Sequence, residues 1–410
     1  MTTRLLMTAD AVGGVWQYAT ELATALVPHG METVIAVLGP APSEGQLSAV
    51  SPPHSPFRAS GAPSLSQGER EDVRTPISLS HREREGARLP NASGKGEGDQ
   101  AAVQVIYTDL PLDWLAAGPD PVLAAGRAVA DLAREVGADI VHLNSPTLAA
   151  AARFDRPVVA VAHGCTATWW RAANGCEPDP AYRWQADLMR RGLLAADVAV
   201  APSASFAADL RATYALPTAP LAVHNGRSRQ ALGGGAPARH VLTAGRLWDR
   251  VKNTDLLDRV AARLSVPLRA AGAVAGPHGE TVTPKHLQLL GNLSADQLAA
   301  ELARTPVFVS AATFEPFGLA VLEAAQAGCA LVLSDIPTFR ELWDGAALFV
   351  PPHDEAAVAA VLEEVLADPI QRDALGQAAM TRAARYTPEA TAAAMASLYA
   401  GLLQAGRAAA

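Results

Sequence analysis

The chain has 410 residues, of which 50% are hydrophobic and 18% are charged, and a globular composition over this length predicts two domains. Its formal net charge is −8 and no basic stripe is present, which argues against a nucleic-acid partner. The three cysteines lie far apart, so neither a disulfide framework nor a zinc site is expected; they are Cys165, Cys176 and Cys329.

No apolar segment in the sequence is long enough to span a membrane, and the apolar stretch near Met1 is too short for a signal peptide. We therefore expect a cytoplasmic protein. The sequence leaves open a peripheral contact with a membrane surface, and it leaves open the oligomeric state.

The first forty residues have the rhythm of a β-α-β unit. Leu5–Met7 predict a strand, Gly13–Gly14 a turn, Val15–Val27 a helix and Thr33–Leu38 a second strand. Parallel β-α-β units wind right-handed into a doubly wound sheet, so the chain is expected to begin with a Rossmann-like domain.

Residues from about 40 to 100 interrupt this rhythm, because they are rich in serine, proline, glycine and charge. Stretches such as Leu79–Gly86 and Gly94–Gly98 have almost nothing to bury, and such a composition does not offset the entropy lost on ordering. The sequence predicts a flexible insertion here, inside the first domain.

The strand and helix pattern resumes after the insertion and restarts once more. In the first half, strands are predicted at Val103–Tyr107, Asp139–Asn144, Pro157–Gly164, Asp197–Ala201 and Leu221–Gly226, with a helix near Val122–Val136. In the second half, four strands are predicted at His240–Gly245, Val266–Ala271, Leu287–Leu290 and Pro306–Ser310, with helices between them.

A short, glycine-rich stretch at Arg227–Arg239 separates the two halves and is the candidate linker. The expected domains are therefore residues 1–228 and 237–385. Residues 386–410 are expected to add a terminal helix that packs across the domain junction, because Thr387–Leu403 is rich in alanine with apolar residues at helical spacing.

The most informative polar cluster follows the fourth strand of the second half. Glu315 lies in the loop after that strand, Pro316 suits the first position of a helix, and Glu323 falls about two turns into that helix. The backbone N–H groups of this helix N-terminus can bind an anion. They would belong to Phe317, Gly318 and Leu319. Two carboxylates around an anion site suit a phosphate flanked by sugars, since carboxylates accept paired hydrogen bonds from diols.

Four further clusters lie at predicted strand ends, the edge at which open parallel sheets bind ligands. Arg246 and Lys252 follow the first strand of the second half and can neutralise a diphosphate. Gly13–Gly14 is a bare backbone turn that a phosphate can approach closely. His163–Gly164 and Asn225–Gly226 complete the set.

Together these motifs resemble those of a bacterial glycosyltransferase of family 4, in the retaining GT-B superfamily. The most specific is the E-x7-E pattern of Glu315 and Glu323 with Phe-Gly-Leu inside it, supported by Arg246, Lys252 and the Gly13–Gly14 turn in the expected order. The resemblance covers nearly the whole chain apart from the insertion. It implies the GT-B fold, an α/β architecture in which two Rossmann-like, doubly wound parallel-sheet domains face each other across a cleft.

The resemblance also implies roles for individual residues. Glu315 would bind a hydroxyl of the donor sugar, and Glu323 would hold the ribose diol of the nucleotide. Arg246 and Lys252 would carry the charge of the departing diphosphate, while His163 would lie near the anomeric carbon. The other implied donor contacts are Gly13, Gly14, Asn225, Gly291, Asn292, Leu293, Phe317, Gly318 and Leu319.

The implied activity is retaining transfer of a hexose from a nucleotide-diphosphate sugar to an acceptor, which is a glycan, a lipid-linked sugar or a small metabolite. Two fixed cations and a helix terminus would stabilise the leaving group, so neither a metal nor another cofactor is expected. The absence of a D-x-D motif agrees with this expectation. Since no residue stands out as a covalent nucleophile, front-face attack is the expected mechanism.

Two other functions stay open at this point. A nucleotide-sugar 2-epimerase can share the architecture but needs further acid and base groups around the sugar. A sugar-nucleotide-binding pseudoenzyme is the second alternative, because the long insertion can obstruct the acceptor.

Structural roles are also open for some of these residues. His163 can be a core histidine, and Gly13–Gly14 can be a simple tight turn. His142 and Asn144, at another strand end, can touch the acceptor or serve only the core, and the pair Trp169–Trp170 can stack on an acceptor sugar or pack internally.

Overall fold

Two parallel β-sheets, one in each half of the chain, organise the protein. The computed structural model describes residues 2–41, 102–151, 153–230, 239–304 and 306–409. The strands of the first half are β1 (Thr3–Asp10), β2 (Met31–Leu38), β3 (Val103–Tyr107), β4 (Ile140–Leu143), β5 (Val158–Val161), β6 (Val198–Ala201) and β7 (Leu221–Ala222). They form one sheet in the order β3-β2-β1-β4-β5-β6-β7, which we call the sheet of the first domain.

The sheet of the second domain repeats this plan. Its strands are β8 (Val241–Ala244), β9 (Leu268–Ala271), β10 (Gln288–Gly291), β11 (Val307–Ser310), β12 (Ala330–Ser334) and β13 (Leu348–Val350). They are ordered β10-β9-β8-β11-β12-β13. All named pairs in both sheets are parallel, and the strand order reverses beside β1 and β8, the position at which open α/β sheets bind ligands. The structure thus confirms the predicted pair of doubly wound sheets.

Helices cover the strands in both domains. Those of the first domain are α1 (Gly14–Leu26), α2 (Pro119–Glu135), α3 (Thr166–Asn174), α4 (Arg183–Ala195) and α5 (Ala204–Tyr214). Those that follow are α6 (Thr254–Ala261), α7 (Ala295–Leu302), α8 (Leu319–Gln326), α9 (Pro337–Trp343), α10 (Glu355–Ala367), α11 (Pro369–Ala383) and α12 (Pro388–Ala409). Of the helices in the described ranges, none combines the length and the hydrophobicity that a membrane-spanning segment needs.

The two faces of β1 show why these strands read as continuous apolar runs. Leu5 and Met7 pack with α1 in one core cluster, whereas Leu6 packs in another cluster on the opposite face of the sheet. Since successive side chains of a strand point to opposite faces, a strand covered on both sides needs apolar residues at every position. Met395 and Tyr399 of α12 join the α1 cluster, so the last helix of the chain completes the core of the first domain.

Several sequence-based boundaries are confirmed and others are wrong. The strand at Val103–Tyr107 is confirmed, whereas the strand expected at Leu221–Gly226 has only two residues. Within the described residues the second domain has six strands, of which the sequence predicted four; β12 and β13 were missed because such short runs carry no periodicity that separates a buried strand from a buried helix. The predicted insertion at about 40–100 and most of the candidate linker lie outside the described residues, which omit 42–101 and 231–238.

The chain crosses between the two domains twice, near Gly226 and near Thr387, and the two crossing segments are in contact. A Cβ atom on Gly226, in the first passage, would lie 2.0 Å from the carbonyl oxygen of Thr387 in the second. The N–H of Arg227 donates to the carbonyl of Tyr386 at 3.2 Å beside this contact. Glycine at position 226 is therefore required by the close approach of the two backbones.

A carboxylate of the second domain holds a helix of the first. Glu341 on α9 accepts hydrogen bonds from the backbone N–H groups of Ala204 and Ser205, at 2.8 and 2.7 Å, and from Nε2 of His224 at 3.0 Å. These N–H groups open α5, where a negative charge is favoured. Burial raises the pKa of Glu341, but the hydrogen bonds outweigh it and bring the pKa down to about 2. The ionised carboxylate therefore fastens the two domains together.

Replacing Glu341 by glutamine should lower the free energy of unfolding in a pH-dependent way. The folded pKa of Glu341 lies below the ordinary value of 4.5, so its contribution to stability is fully present above pH 4.5 and is lost as the pH falls toward 2. We expect a deficit of about 1–2 kcal/mol at neutral pH, after allowance for solvent screening, that shrinks below pH 4.5. Urea denaturation of both proteins at several pH values measures it, and a deficit that does not change with pH would contradict the assignment.

Candidate active site

Parallel pairing of β8 and β11 brings two predicted site residues together. Lys252 lies in the loop after β8 and Glu315 in the loop after β11, and Nζ of Lys252 donates to Oε2 of Glu315. A backbone hydrogen bond from Thr313 to the carbonyl of Val251, at 2.9 Å, joins the two loops. The amide of Asn253 also donates across the loop, so the backbone that carries Lys252 is held in place. Both side chains are mostly buried, which strengthens their attraction.

The guanidinium of Arg246 is more exposed and has a different partner. Its Nη2 donates to Oδ2 of Asp249 at 2.9 Å, and 56% of its side chain is exposed. Asp249 is buried, and its other oxygen accepts from Nε1 of Trp169 at 2.8 Å. Trp169 belongs to α3 of the first domain, so a contact between the domains holds the carboxylate that orients Arg246. This contact engages the indole N–H of Trp169 with protein.

The glycine turn of the first domain faces the N-terminus of α8 in the second. A Cβ atom on Gly14 would lie 3.0 Å from Cδ1 of Leu319, the first residue of α8. The expectation that Pro316 starts this helix is wrong, because Gly318 is the N-cap and adopts the left-handed conformation, with φ of 94°. Glu323 consequently lies just over one turn into α8 rather than two. The first N–H groups of α8 still have no partner within the helix, as an anion site requires.

His163 is half-buried and adjoins a buried polar cluster at the end of β5. Its Nε2 is 2.8 Å from Oδ1 of Asn144, and Nε2 of His142 is 3.0 Å from the same oxygen. The ring of Tyr18 packs edge-on against His163, with 4.5 Å between the ring centroids. Burial lowers the pKa of His163 to about 3, with a further decrease from nearby His142. The imidazole is therefore neutral at physiological pH.

Glu323 belongs to an ion-pair triad, centred on Arg227, that the sequence did not predict. Nε of Arg227 donates to Oε1 of Glu323 at 2.7 Å, and Nη1 donates to Oε1 of Glu21 at 2.8 Å. Glu21 is on α1 of the first domain and Glu323 on α8 of the second, and the side chains of all three are mostly buried. The amide of Gln326 also donates to the carbonyl of Arg227, at 2.7 Å. Arg227 thus occupies one oxygen of the carboxylate that was predicted to hold the ribose.

Other predicted donor contacts lie at the same edges but form no hydrogen bond with these groups among the described residues. Gly291 ends β10 and its carbonyl accepts from Gly272 at 2.8 Å, while Asn292 and the neighbouring Leu293 follow it near the surface. The side chain of Phe317 is buried against Tyr386, which leaves only its backbone for a ligand.

Asn225 is buried at the junction between the domains, next to the passage through Gly226. Its Oδ1 has no hydrogen-bond partner among the described residues, although a buried carbonyl oxygen normally has one. Asn225, which was predicted to contact the sugar donor, therefore has a side-chain oxygen that is still able to accept a hydrogen bond.

Two carboxyl groups near the cleft were missed by sequence reasoning. Asp10 ends β1 and accepts from the N–H of Val12 at 3.0 Å, and Asp113 accepts from the hydroxyl of Thr147 at 2.7 Å. Burial raises the pKa of both side chains, and the charge of Arg246 acts on Asp10 in the opposite direction. The catalytic candidate Arg246 is therefore within electrostatic range of the first domain.

The missed interactions share a property that the sequence does not show. Arg227 pairs with residues 96 and 206 positions away, and Trp169 donates to Asp249, 80 positions away, whereas isolated arginines or tryptophans carry no spacing signal. The one local signal was Asp249, which lies between Arg246 and Lys252 and caps the short helical turn Arg250–Lys252.

Two family models match the chain. The family described as "Glycosyltransferase Family 4" matches residues 86–228, and the family described as "Glycosyl transferases group 1" matches residues 239–382. Together the two matches cover more than half of the chain, one on each domain.

Individual relatives agree with the family matches. The glycogen synthase of Mycobacterium tuberculosis is 36% identical over 97 residues, which are 23% of this chain and 23% of that protein. The chain thus matches less than a quarter of the length of such curated relatives.

Solved structures resemble the whole fold. Sucrose-phosphate synthase from Thermosynechococcus elongatus aligns with a TM-score of 0.70 at 17% identity, over 98% of this chain and 100% of that chain. Anabaena HepE in complex with UDP and glucose aligns with a TM-score of 0.66 at 13% identity, over 98% and 100%. At these identities the likeness is one of fold.

Two Rossmann-like domains with parallel, doubly wound sheets define the GT-B fold, and the solved structures align with that whole fold. The matches on both domains then identify the family: the chain belongs, by sequence, among the family-4-like glycosyltransferases.

Replacing Arg227 by methionine should destabilise the protein strongly. The substitution leaves the carboxylates of Glu21 and Glu323 buried without a cation, and breaking such a pair costs about 3 kcal/mol or more. Urea denaturation at neutral pH measures the loss. The matched control is Arg263→Met, which removes an exposed pair with Glu355 and should cost less than about 1 kcal/mol. Equal losses of stability in the two variants would show that the buried triad contributes no more to the free energy of unfolding than an exposed ion pair.

Proposed function

We propose that the enzyme transfers a hexose from a nucleoside-diphosphate sugar to a carbohydrate, lipid-linked or small-molecule acceptor with retention of configuration and without a metal. The observation that carries the proposal is the convergence of Arg246, Lys252 and the N-terminus of α8 at neighbouring strand ends, since all three favour a bound diphosphate. The solved HepE structure with UDP and glucose, on the same fold, supports a nucleotide-sugar donor.

The leaving group is the chemical problem that these residues address. A diphosphate gains negative charge as the bond to the anomeric carbon breaks, and fixed positive groups lower that barrier without reorganising. Lys252 and Arg246 supply such charges from one loop, and Gly14 allows a phosphate to approach the turn of the first domain. Cations from side chains make a metal ion unnecessary in this scheme, which is part of the proposal.

The acids on either side would bind the sugars. Glu315 forms an ion pair with Lys252, so a hexose hydroxyl bound by Glu315 would lie beside a phosphate bound by Lys252. Glu323 has one oxygen paired with Arg227, and its other oxygen would accept from the ribose. The two carboxylates would thus set the donor's direction along the cleft.

Neutral His163 would place the sugar rather than act as an acid. With a pKa of about 3, its imidazole carries no proton to give at physiological pH beyond the single N–H of the neutral ring. We propose that the leaving phosphate accepts the proton of the acceptor hydroxyl as that hydroxyl attacks from the same face. We also propose that the enzyme is cytoplasmic, because nucleotide-sugars are available in the cytoplasm.

The test begins with a thermal-shift screen against uridine- and guanosine-diphosphate sugars, since a ligand of the folded state raises the melting temperature. Glu323→Gln should weaken donor binding, and Arg246→Ala should lower kcat for transfer or donor hydrolysis by about 100-fold. Arg263→Ala, which removes an exposed arginine of the same domain, is the control and should leave both unchanged.

Each alternative has its own outcome in these assays. Epimerised donor without transfer would identify a 2-epimerase, and donor binding without turnover on any acceptor would identify a pseudoenzyme. Unchanged kinetics in both site variants would remove the assigned residues from the mechanism.

A further inference from the structure

A buried row of hydrogen bonds joins the last helix of the chain to His163. The hydroxyl of Tyr399 on α12 is 2.6 Å from Nδ1 of His142, whose Nε2 is 3.0 Å from Oδ1 of Asn144. The same oxygen is 2.8 Å from Nε2 of His163. Tyr399 and His142 are fully buried and Asn144 nearly so, and water therefore does not compete for these groups.

The orientation of the Asn144 amide decides where the protons are. Its Nδ2 is 2.6 Å from the backbone carbonyl oxygen of Thr8, which can only accept, so Nδ2 is the donor there. The opposite end of the amide is then the carbonyl oxygen, which can only accept. Because Oδ1 has two lone pairs, it accepts from both histidines, and Nε2 of each ring must carry a proton.

The neutral state of the rings completes the assignment. Burial lowers the pKa of His142 to about 4 and that of His163 to about 3, so each ring holds one proton and its Nδ1 is bare. Nδ1 of His142 therefore accepts from the Tyr399 hydroxyl, which burial keeps protonated by raising its pKa. Among the described residues no hydrogen bond reaches Nδ1 of His163. This bare ring nitrogen is therefore able to accept a hydrogen bond from a ligand.

We propose that Tyr399 is a positioning residue for transfer: by fixing the tautomer of His142 it acts with the Thr8 carbonyl to hold the Asn144 amide, which keeps the proton of His163 on Nε2 so that Nδ1 presents a lone pair to the donor sugar. This inference rests on the proposed role of His163. The hydrogen bonds of the row are donated toward Oδ1 of Asn144 from both sides, and reversing any one proton would place two donors or two acceptors face to face.

The position of Tyr399 gives the row a consequence for domain arrangement. α12 follows the second passage between the domains, yet it packs on α1 of the first domain. The hydrogen bond from Tyr399 to His142 consequently requires that α12 is docked on the first domain. Tyr18 of α1 closes the other side of both histidines, with ring centroids 4.5 Å from His163 and 6.0 Å from His142.

The experiment compares Tyr399→Phe with Tyr386→Phe in the full-length enzyme. Both variants remove a buried tyrosine hydroxyl, since that of Tyr386 donates to the carbonyl of Leu342 at 3.1 Å, but only Tyr399 belongs to the row. Tyr399→Phe should lower kcat by about tenfold with little change in the KM for donor, because a mispositioned group acts in the transition state. Tyr386→Phe should leave kcat unchanged.

Nitrogen-15 NMR of labelled histidine side chains reads the tautomers without any turnover. In the unsubstituted enzyme, both His142 and His163 should have protonated Nε2 and bare Nδ1 from about pH 5.5 to 8, with His142→Gln and His163→Gln used only to assign the signals. Tyr399→Phe should change the His163 signals, and Tyr386→Phe should not.

Three results would overturn the inference. One is the finding that His163 carries its proton on Nδ1, or titrates near its ordinary pKa, in the unsubstituted enzyme. This measurement does not depend on whether any variant folds. Another is an unchanged His163 in Tyr399→Phe, and the last is an equal loss of kcat in both phenylalanine variants. An enzyme that transfers no sugar at all would instead refute the proposed function, while the NMR result would still decide the row.

Discussion

Parallel pairing of β8 with β11 is the constraint on which the site depends. Two strands that run side by side in the same direction end at the same edge, so the loops that carry Lys252 and Glu315 become neighbours although 63 positions separate them. The hydrogen bond between Thr313 and Val251 then locks the loops against each other. Everything proposed for the donor follows from this shared edge and from the glycine turn of the first domain that faces it.

Charge pairing within the protein is the second theme of the structure. Glu315 pairs with Lys252, Glu323 with Arg227, and Asp249 with Arg246. A buried carboxylate is costly without a cation, so each acid that a sugar would use already has a partner. A donor would join these pairs rather than fill an uncompensated site, and two of the pairs reach the first domain through Glu21 and Trp169. Donor binding and domain contact are therefore expected to be linked.

Local chemistry explains which elements were predictable. The alternation of β-branched residues marks Val103–Tyr107 as a strand, and the E-x7-E pattern marks the loop before α8, because both signals lie within a few neighbouring residues. The helix start was predicted wrongly from a local signal of the same kind. A proline such as Pro316 suits the first turn of a helix, but the left-handed Gly318 places the helix start at Leu319, three residues later. Arg227 and Tyr399 have no local signal, since their partners are 96 and 257 positions away.

The sequence by itself determined that this protein has two doubly wound domains, that its motifs resemble those of the family 4 glycosyltransferases, and that its charged residues cluster at strand ends. Those properties follow from periodicity and short motifs, which are set by residues close together in the chain. Only the tertiary structure decided which charges pair, that Trp169 and Asp249 meet between the domains, and that α12 supports His163. The physical reason is that pairing depends on distance in space, and two strand ends or a returning helix bring together residues whose separation along the chain carries no such information.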